Sequence, residues 1–199
     1  MAKNIDYFIS CGSPWTYLGH QRVEEIASCH RATITYKPAD FNKIFPVSGG
    51  LPVNKRAPQR QHYRMHELRR WKAYLNVPLI LEPTNFPPTN LGLAARFAVS
   101  APDNTAIGKL CGAILTALWA HDRNISDPET LKAIGNEAGM DGAKLLKSAN
   151  GTAAQKAIDE NSNEAIKRDV YGAPTYIYGE ELLWGQDRLD FLDRALAAN

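Results

Sequence analysis

With 199 residues, 44% of them hydrophobic, the chain can bury one sizeable core, as a single domain or as one domain carrying an insertion. A formal net charge of +2 gives no general pull towards nucleic acid or an anionic membrane, so partners have to be argued locally. Cys11, Cys29 and Cys111 contain no close pair, which suits a reducing compartment better than a disulfide framework.

Residues 5–9 read as a short apolar strand, and Ser13-Pro14-Trp15-Thr16-Tyr17-Leu18-Gly19-His20 carries the chain straight into a helix over 14–29. Pro14 has its φ preset for the first helical turn and lacks only an amide hydrogen that the turn does not use, so Ser13 is the natural N-cap. The first-turn amides and the macrodipole then favour an anion beside the Ser13 hydroxyl, whether thiolate, phosphate or carboxylate. A second strand spans 32–36 and ends at Pro38, and the glycine- and proline-punctuated stretch 45–52 reads as a loop. Helical periodicity follows near 58–75, 90–101, 104–121, 128–137, 141–149 and 151–168. Asp127-Pro128-Glu129 supplies a cap, a first-turn proline and an early acid for one of these helices. The longest apolar run, 113–120, is interrupted by Thr116 and is too short to span a bilayer.

Downstream, Val170-Tyr171-Gly172-Ala173-Pro174-Thr175-Tyr176-Ile177-Tyr178 places a proline immediately before a strand-like run, where a cis bond would be a deliberate feature. A turn at Gly179-Glu180, a second run at Leu182-Leu183-Trp184 and a last helix near 187–197 complete the chain. The pattern predicts an α/β domain built from 1–40 and 168–199, interrupted by an all-helical insertion at 41–167, with a ligand cleft between the two parts. Segment 1–6 lacks the apolar stretch of a signal peptide, so the expected location is the cytoplasm, with no membrane partner.

Together these segments resemble the thioredoxin-like fold of DsbA-type proteins, in which a helix-start nucleophile lies beside a cis-proline loop. Ser13-Pro14-Trp15-Thr16 stands where that group carries Cys-Pro-x-Cys, and serine and threonine cannot form its disulfide. The chain is more similar to the kappa-class glutathione transferase branch and, within it, to the 2-hydroxychromene-2-carboxylate isomerases. Four segments carry the resemblance, in order along most of the chain: Ser13-Pro14-x-x-Tyr17-Leu18, Leu68-Arg69-Arg70-Trp71 closing a helix, Tyr171-Gly172-Ala173-Pro174-Thr175, and Trp184-Gly185-Gln186-Asp187-Arg188-Leu189.

The resemblance implies a DsbA-like thioredoxin domain with a large helical insertion, glutathione as cofactor, an aromatic carboxylate as substrate, and a homodimer. It implies that Ser13 does not attack anything itself. Its hydroxyl donates to the sulfur of bound glutathione and favours the thiolate, the reactive form. Ala173, next to Pro174, would offer its backbone to the cysteinyl part of glutathione in the manner of an added strand. Gln186 and Asp187 fall where family members hold the γ-glutamyl end, and Arg60 where a family lysine reaches the glycyl carboxylate. Asn85-Phe86-Pro87 and Trp119 fall in regions that resemble substrate-pocket positions, although Trp119 also reads as a core aromatic. Asn54 and Lys55 are further candidates for the substrate side.

The basic run Lys55, Arg56, Arg60, Arg64, Arg69, Arg70 and Lys72 reads mostly as a solvated helix face, with Arg60 and either Asn54 or Lys55 left for anion binding at the cleft. No nucleic-acid motif accompanies it. His62 and His66 lack a glutamate between them and a third ligand, so no metal is expected. Cys11, two residues before Ser13, reads as a thiol buried at a strand end. The activity implied is glutathione-dependent isomerisation. The alternatives are a kappa-type transferase or peroxidase using the same thiolate, and a non-catalytic thioredoxin-like interaction protein, against which the retention of Ser13, Pro174 and Asp187 argues.

Overall fold

Alternation along β1 (Asn4–Ile9) sets the layering of the molecule, whose residues 3–198 are described by a computed structural model. Ile5, Tyr7 and Ile9 enter the larger core, whereas Phe8 enters a smaller one with Phe41, Ile44, Ala165, Val170 and Ile177, as a two-residue side-chain period demands. Through the crossover helix α1 (Pro14–Cys29), β1 pairs in parallel with β2 (Thr33–Pro38). On its other edge β1 pairs antiparallel with β3 (Thr175–Tyr178), which pairs antiparallel with β4 (Glu181–Trp184). The sheet order is therefore β2-β1-β3-β4.

Between β2 and β3 run α2 (Phe41–Ser48), a 3-10 turn (Val53–Lys55), α3 (Pro58–Leu75), α4 (Leu91–Val99), α5 (Asn104–Trp119), α6 (Pro128–Glu137), α7 (Gly142–Ala149) and α8 (Thr152–Lys167). A second 3-10 turn (Gln186–Arg188) leads into α9 (Leu189–Ala197). Asp103, Asp127 and Asp141 each cap a helix by accepting the amide of the third residue on. Leu18 and Val23 of α1, Phe97 of α4, Leu115 of α5, Leu131 of α6 and Leu192 of α9 share one contiguous core with the sheet. On the opposite face, Arg168 Nη1 donates to Asp6 Oδ2 at 2.6 Å and Lys37 Nζ to Glu164 Oε2 at 2.8 Å, fastening α8 across β1 and β2. Among the described residues no helix is long and apolar enough to cross a membrane.

The stretch expected as a loop at 45–52 is helical as far as Ser48. Asp40 caps α2 through the Asn42 amide, and Phe41 and Ile44 bury one helix face in the smaller core, beside Ala165 of α8. Pro46 lies inside this helix, near its end, where its missing N–H removes a single hydrogen bond. The helix stops at Gly49, whose φ of 74° is the left-handed cap that glycine accepts.

The α1–α5 seam contains a buried imidazole. His20 Nε2 lies 3.1 Å from the Gly108 carbonyl and 3.5 Å from Glu24 Oε1, and Glu24 also accepts the Tyr36 hydroxyl at 2.7 Å. Gly108 is required there, because a Cβ would sit 2.3 Å from the Tyr36 ring. Burial pulls the His20 pKa below its ordinary 6.5, against the opposing pull of Glu24 and the Gly108 carbonyl. The unfolded chain then takes up the proton at a higher pH than the native one, so this contribution is complete above about pH 6.5 and is lost as the pH falls through that value. Urea unfolding at pH 7.5 and about 5.5 checks this: stability should drop more steeply in the wild type than in His20→Gln.

Candidate active site

Ser13 leaves β1 with extended backbone (φ −83°, ψ 126°) and caps α1, its Oγ accepting the Thr16 amide at 3.2 Å with Pro14 in the first turn. The same hydroxyl donates to the Ala173 carbonyl at 3.3 Å, on the loop where the Ala173–Pro174 peptide is cis. That distance lies beyond the usual range for a hydroxyl donor, so the proton is free to turn towards a better acceptor. The loop itself is held on both sides: Thr175 Oγ1 donates to the Gly172 carbonyl at 2.7 Å, and the Gly185 amide donates to the Pro174 carbonyl at 2.9 Å.

A cleft in two lobes opens over this contact, with cavity volumes of about 830 and 790 Å³. Trp15, Arg56, Arg60, Arg64, Tyr171, Ala173 and Trp184 line both lobes and form the passage between them. The first lobe adds Trp71 and the Gly185–Arg188 turn. Gln186 is buried in its floor, its Oε1 accepting Arg22 Nη1 at 2.5 Å and its carbonyl accepting the same nitrogen at 3.1 Å. That leaves Gln186 Nε2 a buried donor without a partner. Gly185 has φ 105°, and a Cβ there would stand 2.4 Å from Asp187 Oδ1, so glycine is needed both for the turn and for the seating of the carboxylate. Arg188 Nη1 approaches Asp187 Oδ2 at 3.3 Å in an exposed pair.

The second lobe contains Ser13 and Gly12 and is walled by Phe41, Phe45, Phe86, Pro87 and Leu91. One side of the cleft is cationic. Arg56 Nε donates to the Leu51 carbonyl at 2.8 Å, while the Arg60 guanidinium has no ion pair among the described residues. Burial and the neighbouring Arg60 lower the Arg56 pKa from its ordinary value. A pocket with a helix N-terminus, unpaired guanidinium groups and free backbone at a loop edge can bind an extended anion and keep a sulfur beside Ser13 in its thiolate form.

Of the residues singled out from sequence, Ser13, Arg60, Ala173 and Asn54 line the second lobe and Gln186 and Asp187 the first, with Pro174 adjoining Ala173. Lys55, in the 3-10 turn Val53–Lys55, is exposed and lines neither lobe. Asn85 and Trp119 are also not brought to the cleft. Asn85 Nδ2 donates to the Asp122 carbonyl at 2.8 Å and its amide to Asp122 Oδ1 at 3.3 Å, a tether between two loops. Trp119 is fully buried at the end of the apolar face of α5, and its ring centroid lies 4.9 Å from that of Phe86. Of the Asn85-Phe86-Pro87 segment, Phe86 and Pro87 reach the cavity wall.

Arg64, expected on a solvated face, is only 9% exposed. Trp15, Tyr171 and Trp184 are cleft residues that the sequence reading did not assign to the cleft; each lies within a quoted motif, which is the signal that could have found them. Cys11 and Cys111 are buried against one another, and the Cys11 contact together with burial holds the Cys111 thiol well above its ordinary range. Among the described residues no group of three or more His, Cys, Asp or Glu side chains is arranged to hold a metal ion.

The family model described as a DSBA-like thioredoxin domain matches residues 4–197. The chain is 28% identical over 194 residues to 2-hydroxychromene-2-carboxylate isomerase of Pseudomonas putida, covering 96% of this chain and 93% of that protein. It is 21% identical to glutathione S-transferase kappa 1 of Homo sapiens, covering 98% and 92% respectively. A solved structure of 2-hydroxychromene-2-carboxylate isomerase superposes with a TM-score of 0.86 at 23% identity, over 98% of this chain and 95% of that one.

The Tyr171–Trp184 pair, with ring centroids 4.8 Å apart, lines both lobes, and a Cβ on Gly172 would stand 2.3 Å from Trp184 Nε1. Trp184 is half exposed and can swing away, so the strain of Gly172→Ala falls on the cleft rather than on the core. Gly172→Ala should alter tryptophan emission while lowering the thermal midpoint by no more than about 4 °C, read by fluorescence and calorimetry on the same sample.

Proposed function

The chain belongs to the DSBA-like thioredoxin domain family, and from that premise we propose that it is a glutathione-dependent isomerase, converting 2-hydroxychromene-2-carboxylate to trans-o-hydroxybenzylidenepyruvate in aromatic catabolism. One observation carries the reading: a serine hydroxyl, not a thiol, caps α1 and faces the cis Ala173–Pro174 loop inside a cleft with unpaired cations. The match along nearly the whole length of an isomerase supports it.

The residues present fit glutathione. An orphaned donor on Gln186, the seated Asp187 carboxylate, the Ala173 backbone and Arg60 are spread along one continuous cleft, complementary to a peptide with an ammonium group at one end and a carboxylate at the other. Asp187 would hold the ammonium, Gln186 the adjoining carboxylate, Ala173 the cysteinyl backbone and Arg60 the glycyl carboxylate. When bound, glutathione supplies a thiolate that adds to the unsaturated side chain and later leaves, permitting ring opening and rotation without net redox change. Ser13 Oγ turns its proton from the Ala173 carbonyl to the sulfur, and the first-turn amides of α1 favour negative charge at the same point. Both groups act when charge returns to sulfur as well as when it is first formed. Pro87, Leu91 and the Phe86 ring exclude water on the substrate side. The free cysteines fit a cytoplasmic setting, and the family resemblance supports a homodimer.

Isothermal titration with reduced glutathione tests the site. Saturable binding is expected for the wild type and loss of it for Asp187→Ala; no binding by the wild type at millimolar glutathione would refute the reading. With a chromene carboxylate followed by absorbance, Ser13→Ala should lower kcat by about 100-fold, and a conjugate as product would assign transferase chemistry instead.

A further inference from the structure

The basic side of the cleft contains more cations than the one that glutathione requires. Arg56, Arg60 and Arg64 recur every four residues from the turn before α3 into its second turn, and all three line both lobes. None of them is in an ion pair among the described residues, and the acid nearest along the helix, Glu67, is bonded to Arg70. Arg64 is the most buried of the three. Its Nη1 reaches only the Met65 sulfur, at 3.6 Å, and its Nη2 is buried without any partner. The guanidinium carbon lies 5.2 Å from the centroid of the Phe86 ring. Burial and Arg56 lower its pKa to about 10, which leaves it protonated at neutral pH. A buried guanidinium on a residue that lines a cavity, lacking a counterion, is costly to the folded chain, and an anion bound to it removes the cost.

We propose that Arg64 receives the carboxylate of the electrophilic substrate in the second lobe, leaving Arg60 for the peptide cofactor; the inference rests on the glutathione reading above. The surroundings define the rest of the ligand. Phe86, Pro87, Pro88, Leu91 and Phe45 give that lobe flat apolar walls, and Ser13 lines the same lobe. A planar aromatic electrophile with one carboxylate lays its ring along these walls, puts its carboxylate on the free edge of the guanidinium and leaves its unsaturated carbon towards Ser13. The planar fork of arginine allows a two-point contact, which fixes orientation as well as charge. Arg64 is thus a specificity residue: it selects electrophiles by their anionic end.

The test uses an unreactive planar probe, chromone-2-carboxylate, and its counterpart without the carboxylate, chromone, each titrated calorimetrically with and without reduced glutathione. The wild type should bind the carboxylate probe more tightly than chromone. Arg64→Met, which keeps the apolar stem, should lose about 30-fold or more in affinity for the carboxylate probe, while its affinities for chromone and for glutathione stay as in the wild type. Wild-type-like binding of the carboxylate probe by Arg64→Met overturns the proposal. So does a parallel loss of glutathione affinity, which would assign Arg64 to the cofactor. Equal affinity of the wild type for the two probes overturns it too. If Arg64→Met does not fold, Arg64→Lys keeps the charge without the fork and should weaken the carboxylate probe about tenfold with glutathione unchanged; no change would overturn the proposal. Because neither probe is turned over, loss of the isomerase reading through absent turnover and loss of this one through absent carboxylate selectivity are separate results.

Discussion

The register between β1 and β3 is the constraint on which the site depends. Phe8 lies opposite Thr175, so the chain leaving the end of β1 meets the chain arriving at β3, and Ser13 comes to face Ala173 although 160 residues separate them. A shift of one residue would turn Phe8 and Ile177 out of the smaller core and Tyr7 and Tyr176 out of the larger one, and both cores resist it. The position of the hydroxyl is therefore fixed by buried area far from the chemistry. The helical segments between β2 and β3 supply the other wall, because α3 and the Phe86–Leu91 stretch share the larger core with the sheet and cannot drift independently of it.

The second determinant is electrostatic and works against stability. Arg56, Arg60 and Arg64 raise positive potential along one side of a cleft, and the buried Gln186 amide nitrogen has nothing to donate to. A chain selected for stability alone would have placed a carboxylate among these groups, as it does on the opposite face, where Asp6 and Glu164 neutralise Arg168 and Lys37. The contrast between a compensated structural network and an uncompensated cleft marks the latter as a binding surface more firmly than either cavity volume does.

What could be read from the sequence was whatever obeys a local rule. Ser13-Pro14 at a helix start, the Asp127-Pro128-Glu129 cap and the proline before β3 are short-range signals, and the structure has each where the residues indicate. The helix α2 was not legible, since Pro46 and the glycines around position 50 outweigh it locally and its stability comes from burying Phe41 and Ile44 in a core shared with α8 and β3. Asn85 and Trp119 show the same limit in the other direction. An aromatic at the end of an apolar helix is compatible with a pocket or a core, and only the neighbours contributed by other segments decide that Trp119 is interior and Phe86 is the wall. Arg64 was hidden in a basic run that reads as solvated, although its spacing from Arg60 already placed the two on one face of the helix.

The four residues that open α1 explain how a dithiol scaffold can serve chemistry of another kind. In the parent motif the helix N-terminus lowers the pKa of the first cysteine, and the second cysteine closes a disulfide with it. Here Ser13 keeps the first position exposed to the cleft, while Thr16, at the second, is fully buried with its hydroxyl unpartnered and takes no part in the pocket. The two protein thiols near by, Cys11 and Cys111, are sealed in the core, where burial opposes ionisation of Cys111. The field that favours a thiolate thus remains while no sulfur of the described residues lines the cleft. A sulfur supplied by a ligand would meet that field with no cysteine lining the cleft to trap it as a disulfide, which is the condition that reversible addition and expulsion at carbon require.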